Sequence, residues 1–340
     1  MPSRYFILLL LWALPWRTLA QAEGAVTPEP RQPRYDTSYI GVCHDFITIK
    51  PILVFKSTQV ALEDHNRQIR YKPNPRLHAG VEAAYKRLVL AVAFGVPGTQ
   101  QPEAQYGATS YLDLRLQLLT RRVGVDVALY NYQGHYMDNP EQVLAGWSGG
   151  PMPQRPDLRH TSLFANGYYV FNHRKYTLRG ALLQLEEQKR TAHSFVLLAG
   201  YQLLAVHADS SLVPAGARPD YQDLNPLKAA GLMNYAVAPG YAGAFVWGRF
   251  HFAPIIFLGP ALQHGRWTTE DHSARTDVQL AAKLNLRGAL YYRKGRWFTG
   301  GSFYYDLVGY NTPHARILAS LFHGRMFFGY HFQQPARKPR

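Results

Sequence analysis

The chain has 340 residues, of which 47% are hydrophobic, 14% aromatic and only 17% charged, with a net charge of +15 and a pI of about 9.8. A mean hydropathy of −0.24, with no uncharged apolar run of spanning length after the N-terminus, excludes a helical membrane protein. The lone Cys43 excludes an intramolecular disulfide. The basic residues are scattered in pairs without a recognisable nucleic-acid module, so anionic lipid head groups suit them better than nucleic acid.

In chain order, MPSRYFILLLLWALPWRTLAQA comes first. Arg4, an apolar run from Tyr5 to Trp16 and small residues at Ala20 and Ala22 read as a signal peptide over 1–22. The run is too short to cross a bilayer as a helix. Residues 23–44, with Pro28, Pro30 and Pro33, read as an extended periplasmic lead-in. From 45 to 332 strand-like segments follow one another, and 333–340 is a polar, basic tail.

The segments are read from period two, because successive side chains of a strand leave opposite faces. In 87–96, Leu88, Leu90, Val92 and Phe94 share a face. In 109–120, Leu112, Leu114, Leu116 and Leu118 oppose Asp113, Arg115 and Gln117. In 123–135, Val123, Val125, Val127 and Leu129 oppose Gly124, Asp126, Tyr130 and Tyr132. In 277–292, Val278, Leu280, Leu284 and Leu290 oppose Gln279, Lys283, Asn285 and Arg287. In 296–309, Phe303, Tyr305 and Leu307 oppose Ser302, Tyr304 and Asp306, and Met326, Phe328, Tyr330 and Phe332 share a face near the end. An apolar face toward lipid and a polar face toward a lumen is the pattern of a closed membrane barrel, and closure removes the sheet edges that a sandwich must cover. Tyr291, Tyr292 and Trp297 are expected at the membrane interfaces.

Thirteen strand candidates appear, among them 175–187, where single-chain bacterial barrels have even numbers. Long connections at 97–108, 136–156, 207–230 and 264–276 belong to one end and short ones to the other, and this alternation slips between 157 and 206. The segment 178–190, LRGALLQLEEQKR, also suits a short helix, so the expected count is about twelve, within ten to fourteen.

Local catalytic motifs are weak. Gly146-Trp147-Ser148-Gly149-Gly150 matches a nucleophile elbow in letters, but Pro151 and Pro153 follow where a helix would have to start. Cys43-His44-Asp45 places neighbouring side chains on opposite faces of a strand. The 14 histidines form no metal-ligand spacing, and no phosphate or dinucleotide fingerprint is visible, so neither metal nor cofactor is expected. The candidate functional set is therefore the lumen-facing one: Asp113, Arg115, Asp126, Lys283, Asn285, Arg287, Tyr304 and Asp306. Opposite charges among them either pair and fill the lumen or line a solute path.

Five ordered stretches carry a family resemblance. They are Tyr35-Asp36-Thr37-Ser38-Tyr39-Ile40, Tyr71-Lys72-Pro73-Asn74, Arg155-Pro156-Asp157-Leu158, Gln188-Lys189 and Asp209-Ser210-Ser211-Leu212-Val213-Pro214. Together, over about 35–332, the chain resembles DUF4421, a family of uncharacterised exported proteins of Bacteroidetes-type bacteria. The resemblance implies an outer-membrane β-barrel and transfers no activity and no site residue.

The expectation is an all-β protein: a single closed antiparallel transmembrane barrel of the bacterial outer membrane, acting without catalysis as a pore, transport component or envelope-structure protein. Its expected partners are outer-membrane lipid, the outer-membrane assembly machinery and, as a further candidate, a small solute. The alternatives are an integral lipid-acting hydrolase or acyltransferase and a soluble secreted β-sandwich that binds a partner.

Overall fold

The computed structural model describes residues 34–42, 46–64, 67–85, 88–222, 224, 227–270, 274–311 and 315–333. The expected signal peptide, Cys43-His44-Asp45 and the tail after Gln333 lie outside them.

Among the described residues fifteen strands and three short helices follow in order. They are β1 (Ile40–Val42), β2 (Phe46–Asp64), β3 (Arg67–Lys72), β4 (His78–Tyr85), β5 (Leu88–Gly95), α1 (Glu103–Tyr106), β6 (Ser110–Leu119), β7 (Val123–Met137), α2 (Pro140–Val143) and β8 (Gln154–Val170). After these come α3 (Leu178–Leu183), β9 (Glu186–Gln188), β10 (Ala192–His207), a 3-10 turn (Ala215–Asp220), β11 (Leu227–Trp247), β12 (Phe250–Thr269), β13 (Ala274–Lys294), β14 (Trp297–Asn311) and β15 (Ala315–Gln333).

Neighbouring long strands pair antiparallel, and β15 returns to β2 from Ala315↔Asp64 to Gln333↔Phe46, which closes the ring. The closed hydrogen-bonded circuit has ten members, β2, β3, β7, β8 and β10 to β15. The course β3–β4 is one strand broken in the middle. Its first half pairs with residues 60–64 of β2 and its second with 47–54. Pro73 and Pro75 lack the N–H that a ladder needs, and the Asn74 amide donates to the Gln101 and Gly107 carbonyls instead (2.9 and 3.0 Å). At this break β3 pairs directly with β7 (Tyr71↔Met137), so β5 and β6 enter the wall only toward the other end, where twelve strand courses stand side by side.

The facing follows the alternation. Val278, Leu280 and Leu290 are 57%, 79% and 56% exposed, whereas Lys283, Asn285 and Arg287 are buried inside. Outward rings gather at the short-turn end, in pairs such as Trp297 with Phe328 (5.2 Å) and Phe245 with Trp247 (5.8 Å). Two short turns there carry Gly248 (φ +60°) and Gly295 (φ +61°) in two-residue hairpin loops, where a type II′ turn needs a glycine at the first central position.

Residues 178–183 form the short helix that the sequence also suited: α3 and β9 fold into the short-turn mouth, and without the candidate at 175–187 the remaining ones number the expected twelve. Three expectations change. The described part of the lead-in is not merely extended, because β1 pairs with β9 (Ile40↔Gln188) as a two-stranded sheet. The connection expected at 264–276 is mostly strand, since the β12–β13 ladder runs to Thr268↔Ala274. Tyr291 faces inward, 2% exposed and stacked on His251 at 4.6 Å, rather than lying at an interface.

Candidate functional site

The strand alternation that turns leucines outward turns ten charged side chains into the lumen, where they form three hydrogen-bonded groups. Arg115 of β6 grips Asp126 of β7 with two bonds (Nε to Oδ1 2.9 Å, Nη2 to Oδ2 2.7 Å). Arg287 of β13 reaches across the lumen to the same carboxylate (3.0 Å) and donates to the Tyr168 hydroxyl and to Asn285 Oδ1 (3.0 Å). Asn285 donates to Asp306 Oδ2 (2.7 Å), as does the Tyr304 hydroxyl (2.8 Å), and Lys283 pairs with Asp306 while donating to Gln202 (3.0 Å). Lys56 pairs with Asp113. Lys50 and Arg325 share Glu82.

Seven of the eight sequence-chosen residues belong to the first group, and Asp113 belongs to the second with Lys56. Lys50, Lys56, Glu82, Arg325, Tyr168 and Gln202 were missed. For Lys50 and Lys56 the signal was present in β2, whose even positions from Thr48 to Thr58 face inward, but polar and apolar residues alternate there less cleanly. Charges removed from water need partners and hydrogen bonds to remain ionised. Pairing across the lumen satisfies that need, and it also fills the bore.

Both mouths are occupied. At the short-turn end, α3 buries Leu178, Ala181 and Leu183 with Leu119, Ile255 and Phe257. Thr177 caps its start by accepting from the Gly180 N–H (3.2 Å). Glu186 takes Arg179 (3.3 Å) and Arg121 (3.1 Å), and Lys50 donates to the Leu183 carbonyl (3.0 Å), tying plug to wall. The stretches Tyr35–Ile40 and Gln188-Lys189 meet here, with the Lys189 N–H on the Tyr39 carbonyl (2.8 Å).

At the long-loop end, residues 208–222 and Leu224 fold over the opening and bury Leu212, Val213, Ala217, Tyr221 and Leu224 against Val60, Leu62, Tyr71 and Met137. The other three family-like stretches converge there. The Tyr71 hydroxyl donates to the Leu212 carbonyl (2.6 Å), and Arg155 binds Asp157 twice (2.9 and 2.8 Å) and the Ser211 carbonyl (2.8 Å). A cavity of about 240 Å³ between Tyr71, Arg155, Val213 and Arg218 remains beneath the loop.

Asp157 lies beyond the apolar belt. The Arg155 hydrogen bonds, its charge and the Asp209 N–H hold its carboxyl at about 2, below the ordinary 3.8. A depressed carboxylate stabilises the folded loop above the unfolded value, and that contribution is lost as pH falls through about 2. Asp157→Asn is therefore expected to loosen residues 208–222 by about 1–2 kcal/mol at neutral pH. Limited proteolysis should cut the variant faster there at pH 7, and the difference from the parent should vanish near pH 2. Equal cleavage at pH 7 would remove Asp157 as the latch.

The catalytic motifs gain no geometry. Gly146, Gly149 and Gly150 take φ of +78°, +99° and +114° in an exposed loop with no helix after Ser148. His160 Nε2 stands 2.9 Å from Ser162 Oγ, but both are buried in the lumen and no carboxylate is bonded to His160 Nδ1 among the described residues. No cluster of three His, Cys, Asp or Glu side chains that could hold a metal occurs among them either.

Strand circuit and interior together define a closed antiparallel β-barrel whose lumen is filled by ion pairs and whose mouths are plugged by its own chain. The chain belongs to the family described as "Domain of unknown function (DUF4421)", whose profile matches residues 34–332. No curated protein matches it. Among solved structures it is similar to the Pseudomonas putida toluene transporter TodX (9% identity, 86% of this chain and 91% of that one, TM-score 0.29). It is also similar to Ail of Yersinia pestis (6%, 82% and 98%, 0.24) and to OmpT, an outer membrane protein of Vibrio cholerae (8%, 88% and 100%, 0.25). With scores this low, the barrel assignment rests on the ladders of the chain itself.

Proposed function

We propose that this protein is a bacterial outer-membrane β-barrel, exported with residues 1–22 as its signal peptide, that serves as a closed, non-enzymatic envelope component rather than an open pore. The observation that carries the reading is the pairing of two opposite surfaces on one ring. Leucines, valines and aromatic rings cover the outside, while ten charged side chains pair inside. A soluble barrel would leave Leu280, Leu258 and Phe195 in water at 79%, 57% and 74% exposure, a belt far larger than scattered surface apolar residues require. The short-turn end, which also carries both ends of the ring, faces the periplasm, and residues 208–222 face outside.

The test is outer-membrane fractionation, gel mobility with and without boiling, and conductance in planar bilayers. A heat-modifiable outer-membrane band with no steady conductance supports the reading; stable ohmic steps would replace it with a pore. Leu284 points outward between Leu258 and Leu307. Leu284→Arg there is expected to destabilise the inserted barrel by about 2–4 kcal/mol. Unchanged resistance of the folded band to urea would place that face in water.

A further inference from the structure

Strands β5 and β6 are neighbours in the wall but share no ladder among the described residues: β5 bonds only β4, and β6 only β7. They approach each other at the broken-strand end, where the Tyr111 hydroxyl would stand 2.8 Å from a Cβ placed on Gly95. The rest of both edges forms a seam. Unpaired strand edges are not tolerated against hydrocarbon unless polar groups or water reach them.

The lumen side of the seam is accessible. Ala91 and Ala93 sit opposite Glu82 and Gly80 on the inward face of β5, yet both are exposed. The side chains of Arg115 and Arg325 are 18% and 16% exposed, against 3% for Arg287 and 1% for Lys50, which share the same two carboxylates.

Charge in the lumen behind the seam is not balanced. Lys50, Lys56, Arg115, Lys283, Arg287 and Arg325 meet only Glu82, Asp113, Asp126 and Asp306 in the three central groups of described residues, six cations against four carboxylates, a surplus of two. Arg115 and Arg325 are the accessible second cations on the two shared carboxylates. They line one cavity of about 40 Å³ inside the lumen behind β6, with Gln117, Arg287, Ser302 and His323 and with Leu182 and Leu183 of α3, room for about three water-sized groups. That suits a carboxylate and is too small for a sugar-bearing head group. Outside it, the lips of the seam are Leu90, Phe94, Leu112 and Leu114, 48–73% exposed.

We infer that the seam between β5 and β6 is a lateral port for a single-chain carboxylate amphiphile, a fatty acid entering from the membrane. Arg115 and Arg325 hold its head, water and the carboxylate meet the free strand edges, and the acyl chain lies along the leucine-rich lips. The source is the bilayer, because a water-borne carboxylate would make no use of those lips. The inference rests on the membrane-barrel reading.

The experiment places the full protein in phosphatidylcholine bilayers with spin-labelled stearic acid or its methyl ester, at a pH where the acid is ionised. Heat-modifiable mobility is checked first, so failure of the barrel reading registers separately from failure of the port. The motionally restricted fraction should favour the acid over the ester by about tenfold, the worth of one charge-assisted bond pair in a partly desolvated site. Arg325→Gln leaves Glu82 with Lys50, and Arg115→Gln leaves Asp126 with Arg287, so both variants should fold and lose the preference. Ala93→Trp, which touches no charge, should block the port and reduce restriction of the acid. Equal restriction of acid and ester, preference retained in the folded arginine variants or in Ala93→Trp, or displacement of the label by free acetate at equal concentration would each overturn the inference.

Discussion

Asp126→Leu is expected to prevent the protein from reaching its heat-modifiable form. Asp126 is 3% exposed and is the carboxylate partner of two guanidinium groups that arrive from β6 and β13. Removing one member of a buried pair costs about 3–5 kcal/mol, because the remaining charge stays in low dielectric without its counterion. Here two charges are stranded, and the central surplus rises from two to three. Arg287 keeps only neutral company, Asn285, the Tyr168 hydroxyl and the faces of Tyr168 and Tyr304 at 4.6 and 4.7 Å. The total stability of a domain is about 5–15 kcal/mol, so the loss is a large share of it. Arg115→Gln removes a cation from the same carboxylate and should be mild, since Arg287 still neutralises Asp126. The comparison is read from the urea midpoint of the folded band after refolding into lipid. Asp126→Leu refolding at the parent's midpoint would show that water, and not pairing, solvates the arginines.

The unequal weight of these two substitutions could not be read from the sequence. Alternation in 109–120, 123–135 and 277–292 fixes which side chains face inward, because a strand's period is two and a one-residue slip would expose every leucine to the lumen. It says nothing about partners. Arg115 and Asp126 meet because they lie near each other on adjacent strands, but Arg287 reaches Asp126 across the lumen, over 161 positions of sequence. That contact depends on the diameter of the closed ring. The slip in strand parity between 157 and 206 has a related cause. Leu182, Leu183 and Leu185 look like wall residues, yet Gly180, the Thr177 cap and Gln184 at φ +57° make a single helical turn that is buried by the mouth around it. Tertiary burial overrides local pattern there. The broken strand was legible in part: Pro73 and Pro75 announce the break, but only the ladders show that β3 crosses to β7 and leaves β5 and β6 with free edges.

Lys283 and Asp306 decide between a filled lumen and a solute path. Their side chains are 3% and 1% exposed, and Asp306 also accepts from Asn285 and Tyr304. In a water-filled channel either residue could become leucine at little cost, since solvent would take over the remaining charge. In a filled lumen each single change strands its partner. Lys283→Leu is then expected to lower stability by about 3 kcal/mol, and Asp306→Leu by more, because it also removes the acceptor for an amide and a phenol. The double variant Lys283→Leu/Asp306→Leu removes both charges and inserts apolar volume beside Phe164, whose ring faces the Lys283 ammonium at 5.9 Å. It should therefore be less damaged than the sum of the singles, with a coupling of about 2 kcal/mol or more between the two sites. The measurement is the same urea midpoint, run as a double-mutant cycle. Additive, small effects would mean that water fills the lumen around Lys283 and would return the protein to the pore reading. Strong coupling would mean that the polar face is solvated by protein, and that traffic through this barrel wall has to use the seam rather than the bore.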